Sequence, residues 1–262
     1  YGDGVFETFK TYNGQTFLFG EHIDRLYSGI EILGFTATSE LELASLKKSV
    51  YTLLKKNKLE TTDAIVRVQV WRGGGRGYNP SKNSDTHFSV TASACPDSFP
   101  HPKLKTVEIR RIPSRSLPSE VKLTNGINYI LAAKEDRQNG ADEALMLTID
   151  GFVSETTIAN LFWVKGNTIC TPGEECDLIP GITRKVLGDI IEKNDRWNLQ
   201  KGNFLKGDIL DADAVWMTNS VRELLSVKQI DKNVFDIDSP AVKELQQDFT
   251  AFRKANLKPL IE

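Results

Sequence analysis

The apolar residues of this chain change their period repeatedly, and that alternation limits its fold more than any other feature. "GVFETFKTY" reads as a strand, with "NGQ" as a tight turn into "TFLF". From Glu21 the spacing shifts. Ile23, Leu26, Ile30 and Leu33 recur along one face of a helix, and Gly34 stops it. Ser39 and Glu42 form an S-x-x-E capping pattern before a second amphipathic helix through Leu43, Leu46, Val50, Leu53 and Leu54. "AIVRVQVWR" alternates Val66, Val68 and Val70 against Arg67, Gln69 and Trp71, which predicts a strand with two unlike faces. "GGGRGYNP" is a loop, and "HFSVTASA" and "TVEIRRI" read as two further strands.

Residues 113–120, "PSRSLPSE", combine prolines with serines and read as a linker. The chain then divides into residues 1–112, a first domain, and 121–262, a second. In the second, residues 126–139 look helical and "EALMLTI" is a strand. "ANLFWV", "GN" and "TICTP" form a hairpin, and a helix follows the Pro180-Gly181 break. "AVWMTNS" is a strand ending in a polar turn, and Ser239 and Pro240 open a terminal helix. Strands and helices in two blocks predict an α+β (mixed α/β) chain of two domains, which suits 262 residues.

Composition excludes several classes. The net charge of −2, with both signs mixed, leaves no basic footprint for nucleic acid. No apolar run approaches the roughly 20 residues of a membrane helix. Cys95, Cys170 and Cys176 are an odd set at unrelated spacings, which fits reduced thiols in the cytoplasm. His22, His87 and His101 have no paired Cys/His spacing, so no protein-bound metal is expected. The chain opens inside a motif, so a truncated N-terminus is expected.

Four features could carry chemistry. Arg25 is out of phase with the apolar helix face, so it serves either solvent or a cleft. Lys122 follows the linker, where ligand sites tend to form, and is either one lysine among many or an amine nucleophile. Glu155 sits among β-branched and apolar residues. It is satisfied by Ser154, Thr156 or nearby backbone, or else binds a cationic ring nitrogen. The amides of Ile182 and Thr183 open a helix after Pro-Gly and make an anion site, as other helix starts also do. The turn at Asn219 and Ser220 resembles them. Together these groups meet the needs of an aldehyde-bearing pyridine phosphate: an amine, a carboxylate for the ring nitrogen, and an arginine with amides for the phosphate.

The whole chain resembles the class IV (fold-type IV) pyridoxal-phosphate enzymes: branched-chain aminotransferases, D-amino acid aminotransferases and aminodeoxychorismate lyases. The anchors are "YGDGVFET", "EHIDRL", "KLTN", "GADEALML" with "GFVSETTIANLFW", "PGITR" and "TNS", all in the family's order. The resemblance implies a small N-terminal α/β domain and a larger cofactor-binding domain with a barrel-like sheet. It implies Lys122 as the Schiff-base lysine and proton shuttle, and Glu155 as the partner of the pyridine nitrogen. Arg25, Ile182, Thr183 and Ser220 become the cup for the phosphate of pyridoxal 5'-phosphate. A homodimer acting on amino acids and 2-oxo acids is implied in the same way.

Substrate choice should lie in the first strand and in "WRGGGRGYNP". D-amino acid aminotransferases carry an Arg-x-His pair there. This chain has Arg76-Gly77-Tyr78, and Phe6 stands where those enzymes place a tyrosine. The lyases often show "GRGY". Arg76 is the candidate carboxylate binder, since guanidinium grips carboxylate bidentately, and Tyr78, Phe6 and Asn219 complete the substrate set. Tyr129 is not at the offset from the lysine that branched-chain enzymes use, so it receives no role. The leading expectation is an aminotransferase; the alternative is aminodeoxychorismate lyase, releasing pyruvate and 4-aminobenzoate.

Overall fold

The computed structural model describes residues 2–74, 78–80 and 84–261. In chain order its strands and helices are β1 (Gly4–Tyr12), β2 (Gln15–Phe17), α1 (Phe19–Ile32), α2 (Leu43–Lys56), β3 (Ala64–Arg72), β4 (Thr86–Ala94) and β5 (Lys103–Thr106). There follow α3 (Ile127–Gln138), β6 (Glu143–Leu147), β7 (Val153–Thr156), β8 (Asn160–Lys165), β9 (Thr168–Pro172), α4 (Ile182–Glu192), β10 (Asn198–Gly202) and α5 (Lys206–Leu210). The chain ends with β11 (Ala214–Asn219), β12 (Glu223–Ser226), β13 (Gln229–Ile230), β14 (Asn233–Val234), α6 (Pro240–Ala255) and β15 (Leu257–Pro259).

One compact unit comprises Tyr1–Asp97, Val121–Gly126 and Arg253–Glu262. Its sheet is antiparallel in the order β15-β2-β1-β3-β4. On β3, Ala64, Val66, Val68 and Val70 are buried while the residues between them are half-buried, as the alternation predicts. They pack with Ile23, Leu26 and Ile30 of α1 and with Leu46, Val50 and Leu54 of α2. The S-x-x-E pattern does not cap α2. Ser39–Leu41 forms a 3-10 turn, and the cap residue Glu42 makes no side-chain cap bond. Leu41 and Glu42 donate their N–H to the Thr38 and Ser39 carbonyls, the backbone bonds of that 3-10 turn.

The other unit comprises Ser98–Glu120 and Ile127–Phe252. Its ten-stranded mixed sheet runs β10-β9-β8-β7-β6-β5-β13-β14, and β11 with β12 branches from β8. Leu145, Val153, Leu161, Trp163, Val215 and Met217 fill its core. The strand expected over "TVEIRRI" ends at Thr106. Beyond it Val107 and Arg111 N–H donate to the Leu145 and Leu147 carbonyls, and the Arg111 side chain is buried.

The division therefore differs from one drawn at 113–120. Residues 98–120 stay with the second unit because β5 pairs parallel with β6, and Ser114 N–H is held by Asp177. Residues 121–126 join the first unit through a bridge between Leu123 and Val5, and β15 returns the tail to β2.

Candidate active site

The opening motif explains how Lys122 is held. Phe6 N–H donates to the Lys122 carbonyl at 2.9 Å, and Thr124 N–H donates to the Gly4 carbonyl at 2.8 Å. Gly4 must be glycine: an added Cβ would meet Val70 O at 2.6 Å and Thr124 Oγ1 at 3.0 Å. Arg72 Nε binds Asp3 at 2.8 Å and fixes the strand's start. The half-buried Lys122 reaches back so that Nζ lies 5.1 Å from the centroid of the Phe6 ring. Arg67 stacks on the same ring, its guanidinium carbon 3.8 Å from the centroid. Burial lowers the pKa of Arg67. Phe6 and Lys122 are thus brought together, and Arg67 joins them; in the sequence it is only one member of a polar strand face.

Strand alternation puts Glu7 on the opposite, helix-covered face. There it meets α1. Arg25 Nε donates to Glu7 Oε1 at 2.6 Å, and Nη2 donates to Oε2 at 2.9 Å. His22 Nδ1 lies 2.9 Å from Oε2. Burial pushes the Glu7 carboxyl up, but the His22 hydrogen bond and the Arg25 charge outweigh it and bring its pKa to about 2. Arg25 is therefore no solvated surface residue; it is ion-paired to a buried carboxylate. Sequence reasoning missed Glu7 and His22, though a carboxylate in phase with Val5 and Phe9 was a usable signal.

In the second unit Glu155 on β7 is also buried. Its Oε2 accepts Asn160 Nδ2 and Ile179 N–H, each at 3.1 Å. Its Oε1 accepts Tyr129 Oη–H at 3.0 Å and pairs with Arg111 Nε at 3.3 Å. Arg111 donates Nε and Nη2 to the Asp177 carbonyl at 2.9 and 2.6 Å and Nη1 to Tyr129 Oη. Burial and the Glu155 charge raise the Tyr129 phenol well above its usual pKa, so it stays a donor. Ser154 does not satisfy Glu155, since its hydroxyl donates to Cys176 O. Tyr129, set aside on spacing grounds, reaches Glu155 because α3 carries it there.

Asn160 links Glu155 to the start of α4. Its Nδ2 also donates to Ile179 O at 2.8 Å, and a Cβ at Gly181 would come within 2.2 Å of its Oδ1. A larger residue there would have to displace the Asn160 amide. No side chain caps Gly181, and the amides of Ile182 and Thr183 have no acceptor within the helix. At the end of β11 Asn219 staples its own turn: Oδ1 accepts Val221 and Arg222 N–H at 3.0 and 2.7 Å, and Nδ2 donates to Ile158 O. Ser220 is half-buried in that turn, and Tyr78 is exposed. Arg76 lies outside the described residues.

The family model for amino-transferase class IV matches residues 4–230. The chain belongs to the class IV aminotransferases. It is therefore an enzyme, and pyridoxal 5'-phosphate is the family's cofactor. A Methanocaldococcus jannaschii protein provisionally named a branched-chain-amino-acid aminotransferase is 32% identical, over 97% of this chain and 88% of its own. The aminodeoxychorismate lyase of Bacillus subtilis is 34% identical, over 88% of this chain and 79% of its own. The solved branched-chain aminotransferase of Thermobaculum terrenum, in its pyridoxal-phosphate form, is 19% identical with a TM-score of 0.88, covering 100% of this chain and 90% of that one. That likeness speaks for the fold. No helix of the described residues of this class IV aminotransferase is long and apolar enough to cross a membrane.

Proposed function

We propose that this class IV aminotransferase moves an amino group between an amino acid and a 2-oxo acid through Lys122, Glu155 and Arg25. When bound, pyridoxal phosphate supplies a protonated pyridine ring that accepts the electron pair left at the substrate Cα. The residues fit that group. Glu155, already paired with Arg111, is a buried acceptor suited to a ring N–H. The uncapped first turn of α4 suits a phosphate, and Arg25 supplies a cation to it; Ser220 adds a polar turn. Lys122 Nζ would hold the cofactor's aldehyde carbon. As a free amine, Lys122 Nζ would take the proton from the substrate Cα and deliver it to the cofactor carbon that had carried the aldehyde.

The observation that carries this reading is the Lys122–Phe6–Arg67 group. An amine and a guanidinium share one aromatic ring, so a carboxylate held by Arg67 presents its amino acid beside Nζ. Arg76 and Tyr78 act as further contacts to the substrate. A homodimer belongs to the reading, and exposed Ile127, Ile130 and Leu131 of α3 offer apolar surface for it. So does a cytoplasmic setting, which suits an odd set of three cysteines at unrelated spacings.

The B. subtilis lyase, at 34% identity, supports a second reading in which the same residues serve elimination of pyruvate. The test is to mix the holoenzyme with single amino acids, L-Leu, L-Glu and D-Ala among them, and follow the cofactor's absorbance. Conversion to its amine form by any of them is expected. No conversion, with pyruvate released from aminodeoxychorismate, would replace the first reading with the second.

A further inference from the structure

We infer that Glu7 is a positioning residue for anion binding: its carboxylate orients the Arg25 guanidinium toward the cofactor's phosphate. The inference rests on the reading of Arg25 given above. Glu7 holds Arg25 side-on, with Nε on one oxygen and Nη2 on the other, which fixes the plane of the guanidinium. The carboxylate is itself held by His22 Nδ1, and the His22 ring packs against Phe9 with centroids 5.4 Å apart. Glu7 accepts only, so that Nδ1 carries the proton. Side-chain exposure is 1% for Glu7, 2% for His22 and 14% for Arg25. The arginine is the member of the group that keeps an outlet.

Two effects of Glu7 oppose each other. Its negative charge offsets that of Arg25 and weakens attraction for any anion. Its two hydrogen bonds also remove the rotamer freedom an unheld arginine would have to lose on binding. Orientation wins here because the carboxylate lies behind the guanidinium in the core while the anion approaches from the exposed side. The two effects predict opposite signs when Glu7 is changed.

The experiment is titration of the full-length apo-protein with pyridoxal phosphate, and separately with pyridoxal, which lacks the phosphate. Inorganic phosphate serves as a competing probe. Glu7→Gln should weaken pyridoxal phosphate and inorganic phosphate by roughly tenfold or more, the scale of a lost charged hydrogen bond, and leave pyridoxal unchanged. Glu7→Asp keeps the charge but shortens the reach, and should weaken both anions as well; it decides the matter where Glu7→Gln does not fold. Unchanged or tighter anion binding in these variants, with Arg25→Met still weakened, overturns the role of Glu7 alone. Unchanged binding in Arg25→Met sinks the phosphate reading of Arg25 and this inference with it.

Discussion

Each unit of this enzyme buries a carboxylate against an arginine, and the two pairs are built in opposite senses. In the first unit Glu7 is completely buried, while Arg25 keeps an exposed edge. In the second unit Arg111 is as inaccessible as Glu155 and is tied to the Asp177 carbonyl. Glu7 takes its partners from α1, the first helix after its own strand. Glu155 takes side chains and backbone from four separate stretches: Arg111, Tyr129, Asn160 and Ile179. In the first pair the carboxylate serves to aim an arginine; in the second the arginine serves to hold a carboxylate. A buried ion pair contributes little net stability beside an apolar replacement, so retaining two suits roles in the site rather than in the fold.

The largest expected effect comes from stripping the second pair. Arg111→Met leaves Glu155 charged and buried without its cation, and should lower unfolding free energy by about 3–5 kcal/mol in urea titrations. A loss as small as that of a surface substitution would show that Arg111 does not support Glu155.

The first pair should answer to acid. Glu7 has its carboxyl lowered from 4.5 to about 2 in the folded chain. The unfolded chain thus binds this proton first as pH falls. The stability Glu7 contributes, roughly 3 kcal/mol, is complete above pH 4.5 and fades as pH approaches 2. Urea titrations of wild type and Glu7→Gln across that window should converge at the acid end. Curves that stay parallel would remove the ion pair from the account.

Smallest is Tyr129→Phe, which deletes one donor to Glu155 and should cost about 2 kcal/mol. Measured alone and together with Arg111→Met, it should be non-additive, because the two side chains bond each other as well as Glu155. Strict additivity would mean that Arg111 and Tyr129 act on Glu155 independently.

Much of this was legible in the chain. The alternation of "AIVRVQVWR" and the helical spacing of Ile23, Leu26 and Ile30 give β3 and α1 nearly to the residue, because each has one buried face. Lys122, Glu155 and the α4 start stand in motifs. The partners were not legible, because pairing is a property of three dimensions. Tyr129 and Arg111 converge on Glu155 only after α3 and residues 107–112 pack, and residues 107–112 read as a strand although they make none. Ser39 and Glu42 have the spacing of a capping box, but backbone bonds of a 3-10 turn took their place. Arg67 looked like solvent-face patterning until Phe6 lay beneath it.

Lys122 is the residue proposed to carry the cofactor. Borohydride reduction of the holoenzyme, followed by peptide mass mapping, tests it most directly. A stable pyridoxyl adduct on the peptide containing Lys122 is the result expected. An adduct on another lysine, or none after saturation with pyridoxal phosphate, would contradict it.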